Sequence, residues 1–89
     1  MKTVVKENAN GGKGQVVVKY ILDDNELNAK CKMFAEVTIA PGCSLGYHEH
    51  HGESETYYII KGQGEYDDNG TKRPVTVGDK TFTPDGCGH

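Results

Sequence analysis

The sequence predicts an all-β fold, an antiparallel barrel or sandwich built from short strands. Three observations lead there. Short runs of β-branched and aromatic residues recur along the chain, and dipeptides of glycine, proline, asparagine and aspartate separate them. No segment of useful length carries an apolar period of 3.6 residues, so nothing reads as a long amphipathic helix.

Residues 1–6 form a short piece centred on Val4 and Val5, a first edge strand. Residues 7–14 are a loop, because so many glycines and asparagines cannot sustain a ladder. Residues 15–22 hold three consecutive valines, whose branched side chains favour an extended backbone. Asp23-Asp24-Asn25 breaks that strand. Over residues 32–40 the pattern alternates, with Met33, Ala35, Val37 and Ile39 on one face and Glu36 and Thr38 on the other. Pro41-Gly42 ends it.

Residues 56–61 are dense in strand formers on both faces. Tyr57 and Ile59 share a side with Glu55, while Tyr58 and Ile60 point away. That suits a cavity on one side and a packed layer or subunit contact on the other. Gly62-Gln63-Gly64 makes a bend. Residues 65–67 and 71–77 flank Asp68-Asn69-Gly70, and Asn-Gly between short strands is a strong hairpin signal. Gly78-Asp79 turns the chain once more, and Thr81-Phe82-Thr83 leads into the segment from Pro84 to His89. Met33, Val37, Ile39 and Phe82 are assigned to the core. Gly42, Gly62, Gly78 and Gly86 are assigned to turns.

Length and charge exclude several functions. Eighty-nine residues suffice for one domain, and Leu, Ile, Val and Phe together number only 17. A core this thin points to support from a metal or a partner subunit. A net charge of −3 argues against a nucleic-acid or anionic-membrane surface. No apolar run reaches membrane-spanning length, and the N-terminal residues lack the apolar centre of a signal peptide, so a cytoplasmic protein is expected. Cys31, Cys43 and Cys87 form an odd set without a pairing rhythm and read as reduced thiols.

The chemistry concentrates between Gly42 and Gly62. Three of the four histidines stand there, and the fourth is His89. His48 and His50 are two apart, so an extended chain aims both imidazoles to one side. A turn through residues 51–54 brings Glu55 onto the same face, and His89 completes a set of three imidazoles and one carboxylate. Such a set suits one divalent transition metal (Mn, Fe, Co, Ni, Cu or Zn), and spacing alone does not choose among them. Around an octahedral ion, four protein ligands leave about two positions for water, substrate or dioxygen. A metal that only staples the fold is the competing reading. His51 and Glu49 have the outward parity and read as solvated. Glu53, in the turn between ligands, is a candidate acid or base at the cavity mouth. Tyr57, and with it Tyr47, are candidates for the lining, Tyr57 with a hydroxyl able to bond a ligand or substrate. Cys87 is a weaker candidate as a thiolate ligand.

These residues resemble the signatures of the cupin superfamily. Its first signature runs glycine, five residues, His-x-His, three or four residues, glutamate, six residues, glycine; Gly42, His48, His50, Glu55 and Gly62 fit every gap. The second begins glycine, five residues, proline, one residue, glycine, two residues, histidine; Gly78, Pro84, Gly86 and His89 satisfy it. The family's second signature continues to an asparagine three residues further on and then into closing strands, whereas this sequence stops at His89. The expectation is a single cupin domain over residues 1–89, truncated after the second signature, with C-terminal strands missing. An open barrel completed by another chain is the other way to read that departure.

The resemblance implies a cupin-type antiparallel β-barrel (a double-stranded β-helix or jelly roll) and the same metal ligands, His48, His50, Glu55 and His89. It implies a metal-dependent enzyme acting on a small oxygen-rich metabolite, with oxalate decarboxylase-like, dioxygenase-like and sugar-isomerase-like chemistry all compatible. The alternative is a non-catalytic module that binds a metal or a small molecule. A homodimer is expected, with Tyr58 and Ile60 between subunits.

Overall fold

The computed structural model describes residues 1–89. The chain falls into two compact units, residues 1–46 and 47–89.

The first unit is a three-stranded antiparallel sheet of β1 (Lys2–Glu7), β2 (Gln15–Tyr20) and β3 (Ala35–Ile39), in the order β1-β2-β3. The valine run lies in the central strand, where Val18 faces Val4 on one neighbour and Val37 on the other. Val16 and Val18, two apart on one face, are buried. The glycine- and asparagine-rich loop closes on itself, the Asn8 N–H donating to the Gly14 carbonyl at 2.9 Å.

The break at Asp23-Asp24-Asn25 contains a one-turn helix, α1 (Asp24–Leu27), absent from the sequence reading. The Glu26 N–H donates to Asp23 Oδ1 at 2.8 Å and the Asp23 N–H to Glu26 Oε1 at 3.1 Å, so two orphan donors are satisfied reciprocally. The turn buries Leu27. One turn is too short to show a period, but Asp-x-x-Glu ahead of a leucine was its signal.

In the second unit, β4 (Glu55–Tyr58) pairs with β7 (Lys80–Thr83), and β5 (Gln63–Asp68) pairs with β6 (Thr71–Thr76), all antiparallel. Asn69 and Gly70 link β5 to β6 with φ of 50° and 98°. Two consecutive positive φ angles match the right-handed twist of the flanking strands, as the Asn-Gly pair promised. Pro74 interrupts no second ladder, because β6 has a neighbour on one side only.

Some boundaries differ from expectation. The strand expected over residues 56–61 ends at Tyr58, and β5 begins at Gln63, inside the expected bend. Gln63 and Gly64 join the ladder because Thr76 and Val75 stand opposite them.

Three residues assigned to the core are instead open to solvent: Met33, Ile39 and Phe82, the last 52% exposed. β3 is an edge strand, and β4–β7 is a two-stranded pair, so neither supplies its outer face with a cover. In β7 the usual pattern is inverted: Thr81 and Thr83, each 1% exposed, face inward while Phe82 faces out. The reason lies in what Thr83 touches.

Candidate metal centre

Backbone hydrogen bonds set the histidines side by side. The His48 N–H donates to the His89 carbonyl at 2.8 Å and the His89 N–H to the His48 carbonyl at 2.9 Å. One step along, the His50 N–H donates to the Cys87 carbonyl at 2.9 Å, and the Gly86 N–H to the His50 carbonyl at 2.8 Å. Residues 48–50 thus run antiparallel to residues 86–89, and side chains opposite one another share a face. Glu55 opens β4 directly across from Thr83.

The side chains converge. His89 Nε2 lies 3.0 Å from His48 Nε2, 3.0 Å from His50 Nε2 and 2.9 Å from Glu55 Oε1. His50 Nε2 is 3.3 Å from the same carboxylate oxygen. All four atoms lie within 4.8 Å of one another. His50 and His89 are buried, His48 and Glu55 half-buried.

These contacts fit a cation better than a hydrogen-bond network. A carboxylate offers only acceptors, and each neutral imidazole has a single N–H to give. Glu55 Oε1 is buried yet has no hydrogen-bond partner. Such an orphan costs about 1–3 kcal/mol unless something else satisfies it. Two ligands each about 2.1 Å from an ion and at right angles stand about 3.0 Å apart, close to the separations just given. Three imidazoles and one carboxylate suit a transition metal better than magnesium or calcium, which favour all-oxygen shells.

The cupin domain family model matches residues 35–89, the stretch that carries all four side chains. The chain belongs to the cupin family. An oxalate-binding protein of Thermotoga maritima is 42% identical over 82 residues, which span 92% of this chain and 68% of that protein. A crystal structure from the same organism, described as a predicted oxalate decarboxylase, matches with a TM-score of 0.95 at 38% identity, covering all of this chain and 77% of that one. The all-β, antiparallel cupin-type fold expected from the sequence is therefore the observed one.

Around the four-residue cluster of this cupin, other expectations meet their geometry. Glu53, partly exposed in the turn, has its Oε1 3.2 Å from His50 Nδ1. The Tyr57 ring stacks on that of His89, with centroids 5.0 Å apart and planes 11° from parallel. Burial, with Glu55 beside it as charge and hydrogen-bond partner, pushes the Tyr57 hydroxyl well above its ordinary range, so it stays protonated. Tyr47 is half exposed, its hydroxyl against Gly88. His51 is solvated, 3.9 Å from Glu49. Cys87 is outside the cluster, and all three cysteines are free thiols.

Two residues were missed. The Tyr66 hydroxyl and Thr83 Oγ1 each lie 3.0 Å from His89 Nδ1 and 2.6 Å from one another. A lone aromatic in the polar run of β5 was the available signal for Tyr66. Nothing in Thr-Phe-Thr announced that the threonines face inward.

The buried cluster also sets a pH dependence. Burial lowers the His89 pKa below its ordinary 6.5; Glu55 opposes that shift, and His48 and His50 reinforce it. The unfolded chain therefore binds the His89 proton at a higher pH than the folded one, and stability rises with pH across that interval. Metal-free protein is expected to melt at a constant temperature above about pH 7 and at falling temperatures as the pH drops below about 6.5. Melting curves across that range check it, and a melting point that climbs on acidification is the contrary result.

Proposed function

We propose that this cupin holds one divalent transition metal through His48, His50, Glu55 and His89 and uses it to bind a small oxygen-rich carboxylate of the oxalate class. The observation that carries this reading is the convergence of four donor atoms on a point where buried Glu55 Oε1 has no hydrogen-bond partner. Similarity to a protein named for oxalate binding supports the choice of ligand. A bound metal ion would supply a Lewis-acidic attachment point for a carboxylate. The residues themselves supply one negative charge, from Glu55, against the two positive charges of a divalent ion. The four ligands alone therefore leave the ion one uncompensated positive charge, which favours an anion at an open position.

Catalysis is the extension of this reading. Oxalate losing carbon dioxide leaves a carbon that must take up a proton to become formate. Tyr57, whose ring stacks on that of His89, and Glu53, beside His50, are the candidate donors. Tyr58 and Ile60, 65% and 63% exposed, support the further reading that two copies associate.

Elemental analysis and intact mass of one purified sample, followed by calorimetric titration of oxalate into metal-loaded and metal-free protein, test the proposal. About one metal per chain, with oxalate bound by the loaded form alone, is the expected result. Formate release would make the protein a decarboxylase, and tight binding without turnover would make it a binding module. Failure to take up any transition metal would sink the assignment.

A further inference from the structure

We infer that Glu53 and the Tyr66–Thr83 pair are positioning residues that aim His50 and His89 at the metal, and that they do so in two different ways. The inference rests on the metal-binding reading above. An imidazole can offer the lone pair of Nε2 only when its proton sits on Nδ1. What faces Nδ1 therefore decides whether the ring is ready to ligate.

His50 faces a carboxylate, with Glu53 Oε1 at 3.2 Å. An ionised carboxylate accepts and never donates, so Nδ1 must carry the proton and Nε2 is left as a lone pair aimed into the cluster. The turn that returns Glu53 toward His50 is itself pinned, the Gly52 N–H donating to Asp85 Oδ1 at 2.7 Å. His50 is thus locked in the ligating tautomer before any metal arrives.

His89 faces two hydroxyls instead, those of Tyr66 and Thr83, both on buried residues. Hydroxyls donate or accept as required, so this pair supports the ligating tautomer without forcing it. Either hydroxyl can serve, because both reach Nδ1 at the same 3.0 Å distance. Tyr66 is held from behind by the Arg73 guanidinium, 5.3 Å from its ring centroid, and Thr83 by its place in β7 opposite Glu55. This explains the inverted burial pattern of β7: Thr83 faces inward because the outer nitrogen of His89 needs a polar partner.

The test is titration of metal-free protein with Co²⁺ and Zn²⁺, the former read by its absorption bands. Nitrogen-15 spectra of the histidine rings report the tautomer of His50. Glu53→Ala is expected to weaken metal binding about 10- to 100-fold and to convert His50 from the pure Nδ1–H form to a mixture. Glu53→Gln, whose amide can turn either its oxygen or its NH2 toward Nδ1, is expected to recover most of the affinity but not the single tautomer. Tyr66→Phe and Thr83→Val should each stay within about threefold of the parent, while the double variant falls as far as Glu53→Ala. Should the double variant not fold, the Glu53 pair decides. Undiminished affinity in Glu53→Ala, or a lower melting point with His50 still wholly Nδ1–H, would overturn the inference and leave the metal site standing. A parent protein that takes up neither ion overturns the metal reading and this inference with it, before any variant is made.

Discussion

Replacing His50 with alanine is expected to reduce bound metal from about one equivalent per chain to a trace, and to remove the metal's contribution to thermal stability in the same step. The two effects are linked because a ligand that binds only the folded state stabilises it by mass action. Metal at about a thousand times its dissociation constant adds roughly 4 kcal/mol. For a domain of this size each kcal/mol moves the melting point by about 4–8 °C, so loaded parent and variant should differ by roughly 15–30 °C. His50 is a strong choice because its ring is buried, its Nε2 stands 3.0 Å from His89 Nε2, and its Nδ1 is already committed to Glu53. Elemental analysis and paired melting curves, with and without metal, give the answer. If the variant keeps its metal, the ligand assignment is wrong. If parent and variant differ as much without metal as with it, His50 contributes packing rather than coordination.

Much of this site was legible in the sequence because its geometry follows from strand arithmetic. His48 and His50 are two apart, and in an extended chain that spacing alone puts them on one face. Parity also assigned His51 to solvent, where it lies. What parity cannot give is who stands behind each ring. Tyr66 and Thr83 approach His89 Nδ1 from β5 and β7, respectively 23 and 6 residues earlier in the chain. Those approaches depend on which strands pair and in what register, and no local pattern records that. Glu53 was singled out, but as an acid or base at the cavity mouth; its contact with His50 depends on the conformation of the turn between them.

The fold divides along the same line. Asn69-Gly70 announced its hairpin because two consecutive positive φ angles are a local demand that few residue pairs meet. The valine run announced β2 because branching at Cβ is local too. Phe82 departs from expectation because apolarity predicts burial, whereas the inward face of β7 carries Thr81 and Thr83, the latter against His89 Nδ1. The α1 turn was overlooked for want of length, although its two capping partners, Asp23 and Glu26, were visible three residues apart.

Gly46→Ala is expected to be among the most destabilising single substitutions in residues 1–46, a loss of about 3 kcal/mol or more. A methyl group there would sit inside contact distance of the Asn10 carbonyl, and one on Gly12 would meet the Ser44 carbonyl in the same way. Both obstacles are backbone, so no side chain can rotate to relieve them. Parting the segments would break the bonds that hold them, among them the Gly46 N–H to the Ala9 carbonyl at 2.9 Å and the Ser44 N–H to the Lys13 carbonyl at 2.7 Å. Against a typical stability of about 5–15 kcal/mol this is a large fraction, and the melting point should fall by more than about 12 °C. Gly42→Ala is the informative control. Its φ is +81° but nothing lies within 4 Å of an added methyl, so it bears only the left-handed strain, about 1–2 kcal/mol. The same chemical change four residues apart should thus differ clearly in denaturation midpoint. Equal losses would mean that the two backbone segments do not press together as described. Gly12→Ala adds a second check: its clash falls in the same crossing, so the Gly12/Gly46 double variant should lose less than the sum of the singles. Strict additivity would show that the two glycines relieve separate contacts.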